Sequence, residues 1–298
     1  MAKINLEGLG VALVTPFRKD KEIDYDALGH LVDHCIEGGA NYLVVLGTTG
    51  ETPTLMEDEK RVVREFIRTR VDGRVPLVLG HGGNNTRALV KALEEESFEG
   101  FDAILSVVPY YNKPSQEGLY QHYRTIAEAS PLPVILYNVP GRTGVNMTAE
   151  TTLRLANGCP NIIGIKEASG NFSQIDSIIK NKPKDFQVIS GDDGITYPLM
   201  TLGAVGVISV IGNAYPKEFG RMVRLCLKGK FKEALPIHHR FTELFGLLFV
   251  DGNPAGVKCA LNARGLCENE LRLPLVPTRV STNEKIHKIM SSLADINE

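Results

Sequence analysis

The chain has 298 residues, 43% hydrophobic and 23% charged, with a formal net charge of −2. That length and apolar content suit one α/β barrel with an appendage or two ordinary domains, while the near-neutral charge supplies no long-range field for a nucleic acid or an anionic membrane. No apolar run approaches the roughly eighteen residues of a membrane span, and the start, Met-Ala-Lys-Ile-Asn-Leu-Glu, lacks the charged and apolar regions of a secretion signal. Cys35, Cys159, Cys226, Cys259 and Cys267 are odd in number and scattered, with no CxxC. Such usage is expected of reduced thiols in a cytoplasmic protein.

Strand-like runs fall at 10–16, 42–46, 76–80, 103–107, 133–137, 162–166, 187–190 and 205–210, with helical patterns between them. Asp24 caps a helix running toward Gly38-Gly39, and Thr54 with Glu57 three residues on reads as a capping box opening a second. Asn84-Asn85 begins a third, Ser115 a fourth and Thr148 a fifth. Regular alternation of eight strands with helices predicts a (β/α)8 barrel. A doubly wound sheet would carry a glycine-rich turn after its first strand, where this chain has Val14-Thr15-Pro16-Phe17. Beyond about Pro216 the strand signal stops, and 219–227, 231–250, 254–264 and 282–294 read as helices. The expected organisation is a catalytic barrel over 1–224 and a C-terminal helical domain over 225–298.

The sixth strand, Ile162-Ile163-Gly164-Ile165-Lys166, ends on a lysine. Burying an ammonium without a partner costs several kcal/mol. The cost falls if the amine loses its proton, and a neutral amine is a nucleophile. Lys166 therefore reads either as a Schiff-base lysine or as a strand-end lysine reaching solvent or pairing with Glu167. Period two puts Ile162, Gly164 and Lys166 on one face, as it does Ile135 and Tyr137 on the neighbouring strand. Gly164, without a side chain, would leave room for a ligand below the amine.

Barrel chemistry collects at the C-terminal ends of the strands. These ends carry Gly47-Thr48-Thr49-Gly50-Glu51, Pro109-Tyr110-Tyr111-Asn112-Lys113-Pro114, Tyr137-Asn138-Val139-Pro140-Gly141-Arg142-Thr143-Gly144, Lys166, and Ser190-Gly191-Asp192-Asp193. Glycines, hydroxyls, tyrosines, one arginine and two lysines make a rim suited to a small carbonyl acid. Thr48 and Thr49 read either as a tight turn and a helix cap or as hydroxyls and N–H groups holding a carboxylate. Tyr110 and Tyr111 are packing aromatics or functional phenols. Arg142 is a surface charge or a bidentate carboxylate grip. Asp192 and Asp193 read as caps. His30 and His34 stand one turn apart but lack the glutamate of the zinc-hydrolase motif, so they read as a solvated helix face. Gly80-His81-Gly82-Gly83 and Gly252–Lys258 match no nucleotide motif, and no metal or nucleotide cofactor is expected.

In this order, the blocks Gly-Thr-Thr-Gly-Glu, Pro-Tyr-Tyr-Asn-Lys-Pro, Tyr-Asn-Val-Pro-Gly-Arg-Thr-Gly, Gly-Ile-Lys-Glu-Ala-Ser and Ser-Gly-Asp-Asp closely resemble the dihydrodipicolinate synthase family of pyruvate-dependent class I aldolases. The likeness covers essentially the whole chain, including Asn253-Pro254 and Val257-Lys258. It implies a Schiff base between Lys166 and pyruvate. It further implies a proton relay of Tyr137, Thr48 and Tyr111, the last reaching into a neighbouring subunit's site. Thr49 and its backbone would hold the pyruvate carboxylate, Gly191 and Ile208 would line that pocket, and Arg142 would bind the carboxylate of L-aspartate 4-semialdehyde. The product would serve diaminopimelate and lysine synthesis, without a cofactor, in a homotetramer built as a dimer of dimers.

One family feature departs. Lysine-inhibited relatives line an interface pocket with histidines and a glutamate, and the matching positions here are Glu57, Lys60 and Ala88, although Asn84 and Tyr110 are kept. Feedback by lysine is therefore expected to be weak or absent. Two rival readings stand beside this one. A sister lyase for N-acetylneuraminate or a keto-deoxy sugar acid would share the lysine and tyrosine but offers no second carboxylate to Arg142. A pyruvate-binding sensor would have no need of a proton relay.

Overall fold

The computed structural model describes residues 4–294. Among the described residues the eight expected strands are present as β1 (Gly8–Ala12), β2 (Tyr42–Val45), β3 (Leu77–Gly80), β4 (Ala103–Val107), β5 (Val134–Asn138), β6 (Ile162–Glu167), β7 (Gln187–Ser190) and β8 (Gly206–Ser209). Each pairs in parallel with its sequence neighbours, and β1 pairs with β8, so the sheet closes into a barrel. Both faces of every strand are covered, which is why the strands are near-continuous apolar runs rather than alternating ones. Inward residues such as Val44, Val78, Leu105, Ile135, Ile189 and Ile208 fill the barrel. Their outward neighbours Val45, Leu79, Ile104, Leu136, Ile165 and Val207 meet the surrounding helices.

Those helices are α1 (Tyr25–Glu37), α2 (Glu57–Val71), α3 (Thr86–Glu95), α4 (Gln116–Ala129), the single turn α5 (Pro140–Thr143), α6 (Ala149–Gly158), α7 (Phe172–Asn181), α8 (Thr196–Leu202) and α9 (Pro216–Leu227). Their starts follow from side-chain oxygens that accept otherwise orphaned N–H groups. Asp24, Asn85, Ser115 and Thr148 each accept from the backbone three residues on. The expected capping box at Thr54 is displaced. The Thr54 hydroxyl instead donates to Glu51 O at 2.9 Å within a short 3-10 turn, and α2 begins after Met56, whose N–H donates to Glu59 Oε2 at 2.8 Å. The histidine pair of α1 also differs from expectation: His30 is exposed, but His34 is half-buried.

The C-terminal helices α10 (Phe231–Val250), α11 (Ala255–Ala263) and α12 (Val280–Ala294) follow the barrel, α10 lying against α9, α11 and α12. Among the described residues no helix is long and apolar enough to cross a membrane. The tail is fastened to the barrel by a fully buried ion pair, Lys258 Nζ to Glu51 Oε1 at 2.5 Å. Lys258 also donates to Glu270 O at 2.8 Å, and its ammonium lies 4.2 Å from the centroid of the Phe17 ring. Burial pulls the Lys258 ammonium below the ordinary lysine range, and the Glu51 carboxylate opposes that shift. Arg272 grips Glu59 through two 2.6 Å contacts and donates its backbone N–H to the second Glu51 oxygen at 3.1 Å.

Removing one member of a buried pair leaves an uncompensated charge, at a cost of about 3–5 kcal/mol. Lys258→Met is therefore expected to lower unfolding stability by roughly that amount. The double variant Glu51→Gln/Lys258→Met should recover a large part of it. Denaturant unfolding of the two variants checks this, and a single variant as stable as the parent would contradict it.

Candidate active site

The fold brings Lys166 and Tyr137 together through strand register. Tyr137 on β5 sits opposite Lys166 on β6, and both are almost fully buried, at 6% and 5% exposure. Lys166 Nζ lies 4.3 Å from the Tyr137 ring centroid. Among the described residues no carboxylate comes within ion-pair distance of it. Glu167, the partner considered from sequence, points to the other face of the strand, as period two requires. Its carboxylate accepts from Asn138 Nδ2 at 3.2 Å, Ser169 N–H at 2.8 Å and Gln174 Nε2 at 3.2 Å. Burial raises the Glu167 carboxyl pKa, against those hydrogen bonds.

Two details of β6 depart from simple alternation. Val134 pairs with Ile162 but Ile135 pairs with Gly164, so a β-bulge takes up one residue at Ile163. Ile162 consequently lies in the outer cluster with Ile165, not on the face of Lys166. Gly164 does not leave ligand space either. A Cβ there would come 2.6 Å from the Gln187 carbonyl oxygen, so the glycine permits the close approach of β7. Gly191, just past β7, is a second close approach, this time to the lysine stem: a Cβ there would stand 3.1 Å from Lys166 Cγ and 2.7 Å from Ala168 Cβ.

After β2 the chain turns through a 3-10 segment, Thr48–Gly50. Thr48 is half-buried and Thr49 is 2% exposed. Their N–H groups open the turn, where geometry provides no intrahelical acceptor. Thr49 Oγ1 accepts from Asn253 Nδ2 at 3.0 Å, a contact that spans 204 residues of sequence. Ile208 is 1% exposed on the inner face of β8.

Arg142, in α5, is exposed at the rim. Tyr110 is 43% exposed and Tyr111 is 90% exposed. Tyr111 holds a φ of +74°, a conformation that costs a bulky L-residue on the order of 1–3 kcal/mol. A single chain thus assembles Lys166, Tyr137, Gly191 and Ile208 in its interior and leaves Tyr111 standing outward.

Asp192 caps as expected, accepting from Gly194 N–H at 2.8 Å. Asp193 does something else. It is buried, and its carboxylate accepts from Val210 N–H at 3.0 Å and Ile211 N–H at 2.8 Å, tying the loop after β7 to the loop after β8. Burial pushes its carboxyl up to about 6, against hydrogen bonds from Ile211, Ser209 and Val210.

A cleft of about 1300 Å³ between α2 and α3 is lined by Glu57, Lys60, Asn84 and Ala88, among others. Neither Lys166 nor Tyr137 lines it, so size alone does not mark the reactive end of the molecule. Lys60 Nζ is 2.7 Å from Glu57 Oε1 there, and Asn84 Nδ2 donates to Tyr110 O at 3.1 Å.

Asn253, Glu51, Lys258 and Asp193 stand in the blocks quoted from the sequence, but the contacts they make were not read there. A lone lysine inside the apolar stretch Val257–Leu261 of α11 was the available signal for the ion pair. Nothing local tells the partners of Asn253 or Asp193, which lie elsewhere in the chain.

The model of the dihydrodipicolinate synthetase family matches residues 5–293. The chain is 67% identical over 294 residues to the 4-hydroxy-tetrahydrodipicolinate synthase of Parabacteroides distasonis, covering 99% of each chain. It is 65% identical to that of Phocaeicola vulgatus, covering 98% of this chain and 99% of the relative. The crystal structure of dihydrodipicolinate synthase from Aquifex aeolicus superposes with a TM-score of 0.93 at 42% identity, covering 97% of this chain and 98% of that one.

The raised carboxyl of Asp193 has a consequence for stability. Between the ordinary carboxylate value and about 6 the folded state binds more protons than the unfolded chain. The stabilisation this gives is complete below the unfolded value and is lost as pH rises through about 6. Asp193→Asn keeps an acceptor oxygen but cannot titrate. Relative to this variant, the parent should lose roughly 2–3 kcal/mol of stability between pH 4 and 7. Unfolding curves of both proteins across that range check it, and a pH-independent difference would refute it.

Proposed function

We propose that this chain, which belongs to the dihydrodipicolinate synthetase family, condenses pyruvate with L-aspartate 4-semialdehyde as a class I, Schiff-base lyase of diaminopimelate and lysine biosynthesis. The supporting observation is a buried amine, Lys166 Nζ, set against the Tyr137 ring without a carboxylate partner. An ion pair would keep that amine occupied; without one it is open to a carbonyl compound.

In this reading the neutral Lys166 amine attacks the keto carbon of pyruvate. Water leaves and an iminium forms, which serves as an electron sink. A methyl proton departs and gives the enamine, with Tyr137, Thr48 and Tyr111 passing protons. Thr49 and its backbone hold the pyruvate carboxylate beside Gly191 and Ile208. The enamine carbon attacks the aldehyde of the second substrate, whose carboxylate Arg142 grips in bidentate fashion. The aldehyde oxygen takes a proton and becomes a hydroxyl. The substrate's own amine then adds to the iminium carbon and expels Lys166, closing the ring and freeing the enzyme.

Tyr111 supports a homo-oligomer. A strained, outward-standing tyrosine is of little use to its own interior, and delivery to a neighbouring subunit's relay gives the strain a function. We take the assembly to be a tetramer built as a dimer of dimers, and its location to be cytoplasmic, in keeping with five free, buried cysteines. The helices α10–α12 serve the barrel as a C-terminal helical domain, divided from it after α9 (Pro216–Leu227) and not inside that helix at 224/225. At the α2–α3 cleft, the Lys60 ammonium and the missing carboxylate at Ala88 disfavour a cationic effector, so feedback by lysine is weak or absent.

Borohydride added with pyruvate should trap a reduced adduct on Lys166, detected by peptide mass, and Lys166→Met should abolish it. Arg142→Ala should raise KM for aspartate semialdehyde at least about tenfold while leaving trapping intact, as expected for loss of a bidentate charged contact. Turnover of sialic acid in preference to aspartate semialdehyde would overturn the substrate assignment. Free lysine should inhibit only at millimolar concentrations or not at all; micromolar inhibition would contradict the reading of Lys60 and Ala88.

A further inference from the structure

The C-terminal segment reaches the pocket at one atom. Asn253, 6% exposed, donates its side-chain N–H to Thr49 Oγ1 at 3.0 Å, and Thr49 is itself 2% exposed. A threonine hydroxyl has one proton to give and lone pairs to accept with. With Asn253 occupying a lone pair, the hydroxyl proton is free to point elsewhere. Among the described residues Thr49 Oγ1 has no acceptor for it. The other end of the amide, Asn253 Oδ1, is buried and has no hydrogen-bond partner. A buried polar atom left so is costly and uncommon, and a residue serving only to fill space would do better as an apolar side chain.

The turn bearing Thr49 is immobilised from the same side. Two residues on, Glu51 adopts a φ of +53° and is buried. Lys258 and the backbone N–H of Arg272 hold its two oxygens. Asn253 and Lys258 thus flank the start of α11 and hold the Thr48–Gly50 turn at its middle and just past its end.

We propose that Asn253 is a positioning residue for the first substrate: it orients the Thr49 hydroxyl as a donor toward the carboxylate of the bound keto acid. This rests on the placement of that carboxylate at Thr49 given above. Asn253 acts through Thr49 and need not touch the substrate. Its loss therefore weakens keto-acid binding while leaving the chemistry at Lys166 and the second substrate's site intact.

The test is a cycle of Asn253→Ala, Thr49→Val and the double variant in the full-length protein, with steady-state kinetics in both substrates. Asn253→Ala should raise KM for pyruvate about five- to twentyfold, with kcat within threefold and KM for aspartate semialdehyde unchanged. On the Thr49→Val background it should add less than twofold. Asn253→Asp preserves size and packing but offers a carboxylate that accepts the Thr49 proton, so it should raise the pyruvate KM at least as much, and its melting temperature separates this effect from misfolding. If Thr49→Val raises the pyruvate KM while Asn253→Ala and Asn253→Asp do not, or if the effects multiply in the double variant, the role of Asn253 is wrong and the carboxylate assignment survives. If Thr49→Val leaves the pyruvate KM unchanged, both fall.

Discussion

An amine with 5% exposure, an aromatic ring beside it and no carboxylate in reach places a constraint on everything around it. Burying it without a partner is costly while it is charged, and it serves as a nucleophile only where neighbouring structure keeps carboxylates away and leaves space for a reactant. Strand alternation meets the first requirement. Lys166 and Glu167 are adjacent in sequence, yet the pleat sends the carboxylate outward to Asn138, Ser169 and Gln174 and the amine inward. Gly191 bears on the second only in that any side chain there would crowd the lysine stem. The barrel supplies a buried interior, and its C-terminal mouth is where loops can converge on it.

The helices after the barrel bear directly on the site. They send Asn253 to Thr49 and Lys258 to Glu51, so the turn after β2 is held by residues about two hundred positions away. The Phe17 ring has the Lys258 ammonium 4.2 Å from its centroid and the Arg272 guanidinium carbon 4.6 Å away. Cations close to the ring add electrostatic attraction to the ion pair. The loops after β7 and β8, just across β1 from the β2 turn, are tied differently, by Asp193 accepting from two backbone N–H groups after β8. Arg142 and Tyr111 stay exposed at the rim.

Much of this was legible in the residues themselves. The order and number of strands, the helical tail, four of five helix starts and the lysine at the end of β6 all follow from local pattern, since periodicity and cap chemistry act over a few residues. The fifth start was misplaced because Thr54, a suitable cap by type, is consumed in a 3-10 turn, and Glu59 secures the helix from inside. The face of Ile162 was misread because a bulge depends on the partner strand's register, and one inserted residue reverses the parity of everything before it.

What the sequence determined, then, is the barrel's element order and the residue types collected at its strand ends, including Lys166, Tyr137 and the Thr48–Thr49 pair. Tertiary structure alone decided that Lys166 has no ion-pair partner among the described residues, that Gly164 and Gly191 serve close approaches of neighbouring chain, and that Asn253 and Lys258 hold the turn after β2 while Asp193 ties the loops after β7 and β8. The physical reason is the range of the forces involved. Backbone periodicity is written in neighbouring residues, whereas hydrogen bonds and ion pairs across 204 or so positions exist only once closure of the sheet has brought the chain's two ends together.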